Sequence, residues 1–454
     1  MLGQLRANFR ALCVSILLAP AVLGASWIVP GAVWTDTSGN KIDAHGGQIL
    51  QEGTTFYWVG SAYASNEVPN IYSSTDLLNW TFQGPASTAV EFMYRPKLFT
   101  SGGKFYIWGQ VNRLVQALES SSINTGYSVY GSAFSLPPDA RTYSDEGIFV
   151  DTTGEAYILT SADSNNLQIN EINGGSSVSI GTRVDNGNLI YLTEGAYEAP
   201  GLMKSTGGIY YLVMSTKTGY TANANQFWWS TNIAGPWNGP SGIAPSSSNT
   251  YDSQNTFELK ISGSQQTTYI YMGDAWDSEG TAASNYEWLP ISVDDSAHTI
   301  TLEDYAFWKV DVSTGVITTS TTGKRYNAAD AFNDLVSSRY LVVEDSCVAC
   351  ERSVHNIDSQ SNVTIHNIEG TGEPQWVSIH YTVSDPTAGD AYVWLNGEKI
   401  KIADKNSRAG KFATVPINLT LKKGNNNVLT FGCHAHAENS DFVAHLEGIE
   451  VVDD

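Results

Sequence analysis

Positive charge is scarce in this 454-residue chain, with 24 Lys and Arg against 46 Asp and Glu and a formal net charge of −22. A phosphate backbone is bound by clustered Lys and Arg, so the balance excludes a nucleic-acid partner and, equally, an anionic membrane surface. Charge of either sign is sparse, at 15% of residues against roughly 25% in an average soluble protein. Cysteine is limited to four residues, too few for a disulfide-built scaffold. No apolar run beyond the first 25 residues approaches the ~18 residues of a membrane span. Helical periodicity is missing over the first 320 residues, which argues against an α/β architecture. Disorder is excluded as well, because 42% of the residues are hydrophobic.

What is present is glycine (41), tyrosine (23) and tryptophan (13), with Ser, Thr and Asn separating short apolar runs. That is the composition of a turn-rich, all-β, exported protein. The N-terminus fits export: Arg6 and Arg10 precede an apolar run from Ala11 to Val22, and Leu23-Gly24-Ala25 supplies small residues for cleavage. Residues 1–25 therefore read as a signal peptide and the mature protein as secreted. Three sequons, at Asn79, Asn362 and Asn418, are compatible with glycosylation. Cys13 departs with the signal. Cys347-Val348-Ala349-Cys350 is compatible with a redox motif, half a zinc site or a local disulfide, and a secreted chain without a second C-x-x-C favours the disulfide. Cys433 reads as a buried thiol, and His434 and His436 beside it as structural rather than metal-binding.

A repeat emerges when the aromatic runs are aligned. Tyr57, Tyr106, Tyr157, Tyr211 and Ile270 each follow a polar, mostly Gly-containing turn, at spacings of 49, 51, 54 and 59 residues. Each unit holds an apolar strand, a turn, an aromatic strand and room for two more strands, the content of one propeller blade. Five units predict a five-bladed β-propeller over residues 26–320; the alternative is a pair of β-sandwiches with coincidental turn spacing. Composition shifts near Thr318 to Asn327, where Thr319 to Lys324 is polar and reads as a linker or the first turn of a new domain. Residues 321–454 alternate at period two in several short runs, which predicts a β-sandwich (jelly-roll) domain, with Asn396-Gly397 as a tight turn.

A propeller's functional site is its central channel. One titratable or amide residue stands at the same phase of each unit, before or within the apolar first strand: His45, Tyr94-Arg95, Asp145-Glu146, Glu198 and Gln254. Carboxylates in a channel are costly without a use. Carboxylates with abundant aromatics, and no metal or nucleotide motif, point to carbohydrate; glycoside hydrolysis needs an acid for the leaving oxygen and a base or nucleophile across the ring.

The segments Tyr72-Ser73-Ser74-Thr75-Asp76-Leu77-Leu78-Asn79-Trp80, Glu198-Ala199-Pro200-Gly201 and Gly235-Pro236-Trp237 resemble glycoside hydrolase family 43, the five-bladed propeller enzymes. Asp43-Ala44-His45-Gly46-Gly47, Arg95-Pro96-Lys97, Ser253-Gln254-Asn255-Thr256 and Tyr271-Met272-Gly273-Asp274 resemble its fungal exo-β-1,3-galactanase members. The resemblance implies an inverting mechanism with Glu198 as general acid and Asp145 as the carboxylate that tunes it. His45-Gly46 stands where most members carry a basic Asp, and Gln254 matches the Gln of the galactanase-like members. Sugar contacts are expected from His45, Tyr94, Arg95, Tyr197, Asn223 and Asn225. Tyr94 departs from the pattern, which expects Glu before Arg-Pro-Lys; Glu91 lies three residues upstream.

The C-terminal part resembles family 35 carbohydrate-binding modules through Ser346-Cys347-Val348-Ala349-Cys350, Val393-Trp394-Leu395-Asn396-Gly397, Leu421-Lys422-Lys423-Gly424 and Leu446-Glu447-Gly448-Ile449. That likeness leaves room for a structural calcium near Glu447, where Asp is usual, and for a sugar platform of Trp376, Trp394 and the His434/His436 loop, although each of these reads first as core. No cofactor is required. The expectation is a secreted, monomeric glycosidase acting on arabinogalactan-type galactan. The rivals are an arabinofuranosidase or xylosidase of the same family, and a carbohydrate-binding protein without turnover.

Overall fold

The computed structural model describes residues 25–452 except 136–143, 163–165, 176, 186–196, 278, 321–322, 337–341, 345–351, 359, 384–390, 402–412 and 434–442. Cys13, Cys347, Cys350, His434 and His436 lie outside the described residues, as does the expected signal segment up to residue 24.

The repeat resolves into five four-stranded antiparallel sheets, each built from strands consecutive in sequence. The first contains β1 (His45–Glu52), β2 (Thr55–Ala62), β3 (Val68–Ser74) and β4 (Thr81–Pro85). The second contains β5 (Tyr94–Ser101), β6 (Lys104–Val111), β7 (Leu114–Ser120) and β8 (Ser128–Val129). The third contains β9 (Glu146–Val150), β10 (Ala156–Ala162), β11 (Asn166–Asn173) and β12 (Ser179–Arg183). The fourth contains β13 (Tyr197–Lys204), β14 (Tyr210–Thr216), β15 (Gln226–Ser230) and β16 (Asn238–Gly242). The fifth contains β17 (Gln254–Ser262), β18 (Thr267–Ala275), β19 (Asn285–Asp294) and β20 (Thr299–Leu302). The first strands adjoin one another in the order β1, β5, β9, β13, β17, and β17 returns to β1. The sheets are thus the blades of a five-bladed propeller.

All five aromatic runs fall on second strands, which explains their composition. Each second strand is covered on both faces, so successive residues face opposite neighbouring blades. In β18, Ile270 and Met272 pack toward the first blade, whereas Tyr269 and Tyr271 pack toward the fourth. In β10, Ile158 faces the second blade, and Tyr157 and Leu159 face the fourth. A run buried on alternating sides has no polar positions, unlike the strands of an open sheet.

Among the described residues no strand is exchanged between the first and last blades, and side chains close the ring. Trp58 packs at 4.8 Å from Trp288 and 5.3 Å from Trp80, and Trp34 at 4.9 Å from Trp288. The Tyr286 hydroxyl accepts from Ala44 N (2.8 Å) and donates to Ile42 O (3.1 Å). Ile28 adds a bridge to Trp308. Asn79 is tied into the same region: its amide bonds Asp76 Oδ2 at 2.7 Å and both backbone groups of Ala25. A glycan on Asn79 would displace these bonds.

After the blades come β21 (Phe307–Val310) and β22 (Ile317–Ser320), and then a sandwich. One sheet runs β25 (Val342–Glu344), β26 (Ser353–Ile357), β33 (Ala444–Val452), β28 (Pro374–Val383), β31 (Ala413–Thr420), with β23 (Lys324–Asn327) also on β33. The other runs β24 (Asp334–Val336), β27 (Asn362–Gly370), β32 (Gly424–Cys433), β29 (Ala391–Leu395), β30 (Glu398–Lys401). Asn396 and Gly397 form the two-residue β29–β30 turn, both with positive φ (51° and 90°), as a primed hairpin turn requires.

The structure bears on three expectations. In the polar stretch Thr318–Asn327, read as a linker or the first turn of a new domain, residues 318–320 complete β22 and Lys324–Asn327 already pairs along β33 of the sandwich. Trp376 is no platform, because it is 5% exposed and packs with Trp27, Val29 and Phe307 between propeller and sandwich. Glu447 does not fit a calcium site, since its Oε2 already faces the Arg325 guanidinium at 3.0 Å, and that cation would repel a second one. Among the described residues no three metal-ligating side chains gather. Trp394 is half-buried beside Tyr392, and the Lys399 ammonium lies 3.8 Å from the Tyr392 ring centre.

Because Trp58 is buried at the junction that closes the ring, Trp58→Ala should cost about 3–5 kcal/mol of propeller stability. Calorimetry should show a lowered propeller transition with the sandwich transition unmoved; an unshifted propeller would contradict the closure role.

Candidate active site

One end of the channel opens into a cavity of about 270 Å³. Its wall includes His45, Tyr94, Arg95, Asp145, Glu198 and Gln254, one contribution or more from each blade. These residues stand at the entry of the five first strands, and local backbone geometry turns them into the channel. In four blades the pairing of first and second strand slips immediately after the candidate: between His45 and Gln48, Tyr94 and Lys97, Glu198 and Gly201, and Asn255 and Phe257. A β-bulge inserts one residue, bends the strand and re-aims a side chain. Three bulges put a residue in the left-handed region: Gly46 (φ 62°), Arg95 (48°) and Ala199 (55°). For Arg95 and Ala199 that conformation is uncommon, and such strain is held only where surrounding contacts fix it.

Those contacts converge on Arg95. The buried guanidinium pairs with Asp145 (Nε to Oδ2, 3.0 Å), donates to Gln254 Oε1 (2.7 Å) and donates to Asn255 O (3.0 Å). Burial opposes its charge, but Asp145, Asp274 and Glu198 together outweigh that and hold it protonated. Asp145 Oδ2 also accepts the amide of Ala199 at 3.0 Å. Gly46 packs against the arginine, and a Cβ there would meet Arg95 Cγ at 3.0 Å.

Gln254 is held by four partners. Its Oε1 accepts from Arg95 and from Trp276 Nε1 (2.9 Å); its Nε2 donates to Glu198 Oε1 and Ser215 Oγ, both at 2.9 Å. These partners settle which end of the amide is oxygen and direct its NH₂ at Glu198. Glu198 is only partly exposed, and its pKa is pushed up to about 7, first by burial and then by the Asp145 charge, against the opposing pull of Arg95 and the Gln254 bond. A carboxyl held protonated to that pH can deliver a proton to a leaving oxygen.

His45 is wholly buried, with Nδ1 at 3.0 Å from Asp274 Oδ1 and its ring stacked on Tyr286 at 4.7 Å. Asp274 Oδ2 also accepts the Gly46 amide at 2.6 Å, so this pair joins the last blade to the first. Lys97 Nζ reinforces the same junction, donating to the carbonyls of Gly46, Gly47 and Thr256 at 2.7–2.9 Å.

Three expected sugar contacts lie elsewhere. Tyr197 packs edge-on to Trp228 at 4.8 Å within the blade 3–4 core and bonds Gln226. Asn223 clamps the loop after β14, bonding Thr216 and Thr218. Asn225 bonds Asn223 O, Ser253 O and the Asn255 amide, bracing the start of β17. Glu91 is exposed beside Asn66 and is not among the pocket residues.

Ser61, Tyr63, Gln110, Gly219, Tyr220 and Trp276 also line the pocket and were not anticipated. Part of this set follows from hairpin register: His45 pairs with Ser61, Tyr94 with Gln110, Glu198 with Ser215 and Gln254 with Asp274. In four of the five blades the polar residue that follows the aromatic run is therefore the cross-strand neighbour of a site residue.

A five-bladed propeller whose channel carries an acid in the neutral range, a companion carboxylate and an aromatic wall has the architecture of a glycoside hydrolase. Residues 41–275 match glycosyl hydrolases family 43, and the chain belongs to that family. Among solved structures it is similar to the exo-β-1,3-galactanase from Phanerochaete chrysosporium crystallised with β-1,3-galactotriose: 29% identity, 94% of this chain and 99% of that one covered, TM-score 0.66. It is also similar to a family 43 β-1,3-galactosidase crystallised with galactodeoxynojirimycin, at 25% identity over 62% of this chain and 100% of that one, TM-score 0.55. An exo-β-1,3-galactanase from Clostridium thermocellum shares the fold, at 23% identity, 93% and 99% coverage and TM-score 0.58. No curated protein sequence matches the chain at a significant level.

A hydrolysis that draws on the Glu198 proton should fall as pH rises through about 7. Removing the neighbouring negative charge with Asp145→Asn should stabilise the ionised form of Glu198 and move this alkaline limb to lower pH. A pH profile of kcat/KM reads both, and a limb that stays in place in the variant would separate Asp145 from the tuning of Glu198.

Proposed function

We propose that this family 43 hydrolase is a secreted, exo-acting β-1,3-galactanase that cleaves with inversion, with Glu198 as general acid. The observation that carries this reading is the state of the two pocket carboxylates. Glu198 is kept protonated into the neutral range, and Asp145, the other carboxylate among the described pocket residues, is engaged by Arg95 and the Ala199 amide. A retaining mechanism needs a carboxylate free to attack carbon, roughly 5–5.5 Å from the acid. Direct attack by water is the route that does not need one. Asp145 would tune the acid, and Gln254 would orient it; an amide cannot take the water's proton, which passes to solvent as the new bond to the anomeric carbon forms and the glycosidic bond breaks.

The substrate assignment rests on the likeness to two β-1,3-galactan-degrading structures and on the pocket size. At about 270 Å³, it falls just below the roughly 300–1,000 Å³ of sites for drug-sized ligands, and suits one or two sugar rings. The favoured substrate is an arabinogalactan-type galactan, acted on by a monomer without a cofactor. Tyr94 favours a second reading, a family 43 activity on arabinofuranosyl or xylosyl linkages, because an aromatic ring replaces the carboxylate expected before Arg95.

Release of galactose from β-1,3-galactan, set beside arabinan and xylan substrates, tests the substrate. Glu198→Gln should lower kcat by about 10²–10⁴ with binding nearly intact; retention of a tenth of the activity would remove Glu198 from the acid's role. Losing a hydrogen bond to a charged group weakens binding by about one to two orders of magnitude, so Tyr94→Glu should raise galactanase activity. Unchanged or lower galactanase activity, with good turnover of an arabinan or xylan substrate, would assign the pocket to that substrate.

A further inference from the structure

The mouth of a propeller channel is a depression ringed by loops from every blade, and an extended polysaccharide can cross such a depression unless something blocks it. We infer that Tyr220 is the blocking side chain, a wall that admits only a chain end and so makes the enzyme exo-acting. The inference rests on the galactanase reading above and assigns the specificity-determining residue of that site.

Tyr220 belongs to the loop that follows β14 in the fourth blade, yet its neighbours belong to other blades. Its ring meets Trp276 of the fifth blade edge-on at 5.2 Å. It lies over Gly280, where a Cβ would come within 2.3–2.5 Å of the ring, so only glycine leaves the space the tyrosine fills. Tyr63, after β2 of the first blade, lies close enough for its hydroxyl to feel that of Tyr220, and it meets Trp276 at 5.4 Å. The side chain thus spans from the fourth blade to the fifth and first across the aromatic side of the pocket.

Both ends of this span are built. Asn223 fixes the loop from within, its Nδ2 donating to Thr216 O at 2.8 Å and Thr218 Oγ1 at 2.7 Å, its Oδ1 accepting the Thr216 amide at 3.1 Å. On the receiving side, Asp277 accepts the Thr281 amide at 2.8 Å and the Thr281 hydroxyl, and Gly280 N donates to Asp277 O at 3.1 Å, holding Gly280 at φ 62°. Tyr220 remains 38% exposed. A tyrosine buried for stability would be covered; this one presents a face to the pocket. In this assignment the leaving oxygen sits at Glu198 and the non-reducing end of the bound sugar turns toward Tyr63, Tyr220 and Trp276 of the same pocket wall, where a further residue would meet the tyrosine ring.

The test uses the full-length protein and reduced β-1,3-galacto-oligosaccharides, either with a free non-reducing end or with that end blocked by 3-O-methylation. Wild type should release galactose from the free series and leave the blocked series intact. Tyr220→Ala should hydrolyse the blocked series at least tenfold faster than wild type and release products longer than galactose, with an unchanged melting temperature. Tyr220→Phe, which keeps the ring and loses the hydroxyl, should remain exo-acting. The wall is overturned if folded Tyr220→Ala still releases only galactose and leaves the blocked series intact, or if Tyr220→Phe opens the site as fully as Tyr220→Ala. If wild type cleaves neither galactan series, it is the galactanase reading that fails, and free and blocked arabino- or xylo-oligosaccharides then apply the same criterion to Tyr220.

Discussion

A buried arginine governs this site. A guanidinium taken out of water is costly unless its donors and its charge are matched, and the hydrogen-bond partners of Arg95 come from two other blades: Asp145 before β9, and Gln254 and the Asn255 carbonyl in β17. The ring of blades has to close tightly enough to bring those partners together. The same demand explains the glycine at position 46, which leaves room for the arginine stem, and the left-handed backbone at Arg95 itself. Removing the cation would leave the half-buried Asp145 without its ion-pair partner and Gln254 Oε1 without one of its two donors.

The chemistry of Glu198 is a balance set by that arrangement. Burial raises its pKa, Asp145 raises it further, and Arg95 and the Gln254 amide pull it back, leaving it near 7. Had Arg95 no companion carboxylate, the cation would favour an ionised Glu198 and the proton would be lost; without Arg95, the two carboxylates would repel each other. Gln254 joins the two halves of the balance, taking a hydrogen bond from the arginine and giving one to the glutamate. The bulges do mechanical work in the same scheme, since each turns a first-strand residue inward at the height where these bonds can form.

Much of this was legible in the residues. The aromatic second strands stand out because a strand covered by a blade on each side has no polar face, and they marked every blade. The site residues shared one phase because every blade repeats the same entry into its first strand. Other features were illegible for identifiable reasons. Asn223 and Asn225 read as sugar contacts, but short amides in loops often satisfy backbone groups instead, and here they brace the loop after β14 and the start of β17. Tyr197 precedes Glu198, so alternation along the strand directs its ring between blades. Tyr220 carried no signal, because its role arises where a loop of one blade meets the turn of another. The threonine-rich stretch after Ile317 left a linker and the first turn of a new domain both open; β-branched residues also suit an edge strand, and β22 takes in Thr318 and Thr319 while β23 opens the sandwich.

The central claim is that one carboxylic acid serves this pocket and water attacks the sugar directly. Proton NMR during the first minutes of hydrolysis of a β-1,3-galacto-oligosaccharide reads the anomer of the galactose released before mutarotation. The account predicts α-galactose as the first product, the outcome of a single displacement on a β-linkage. β-Galactose appearing first would require a carboxylate nucleophile and would contradict it.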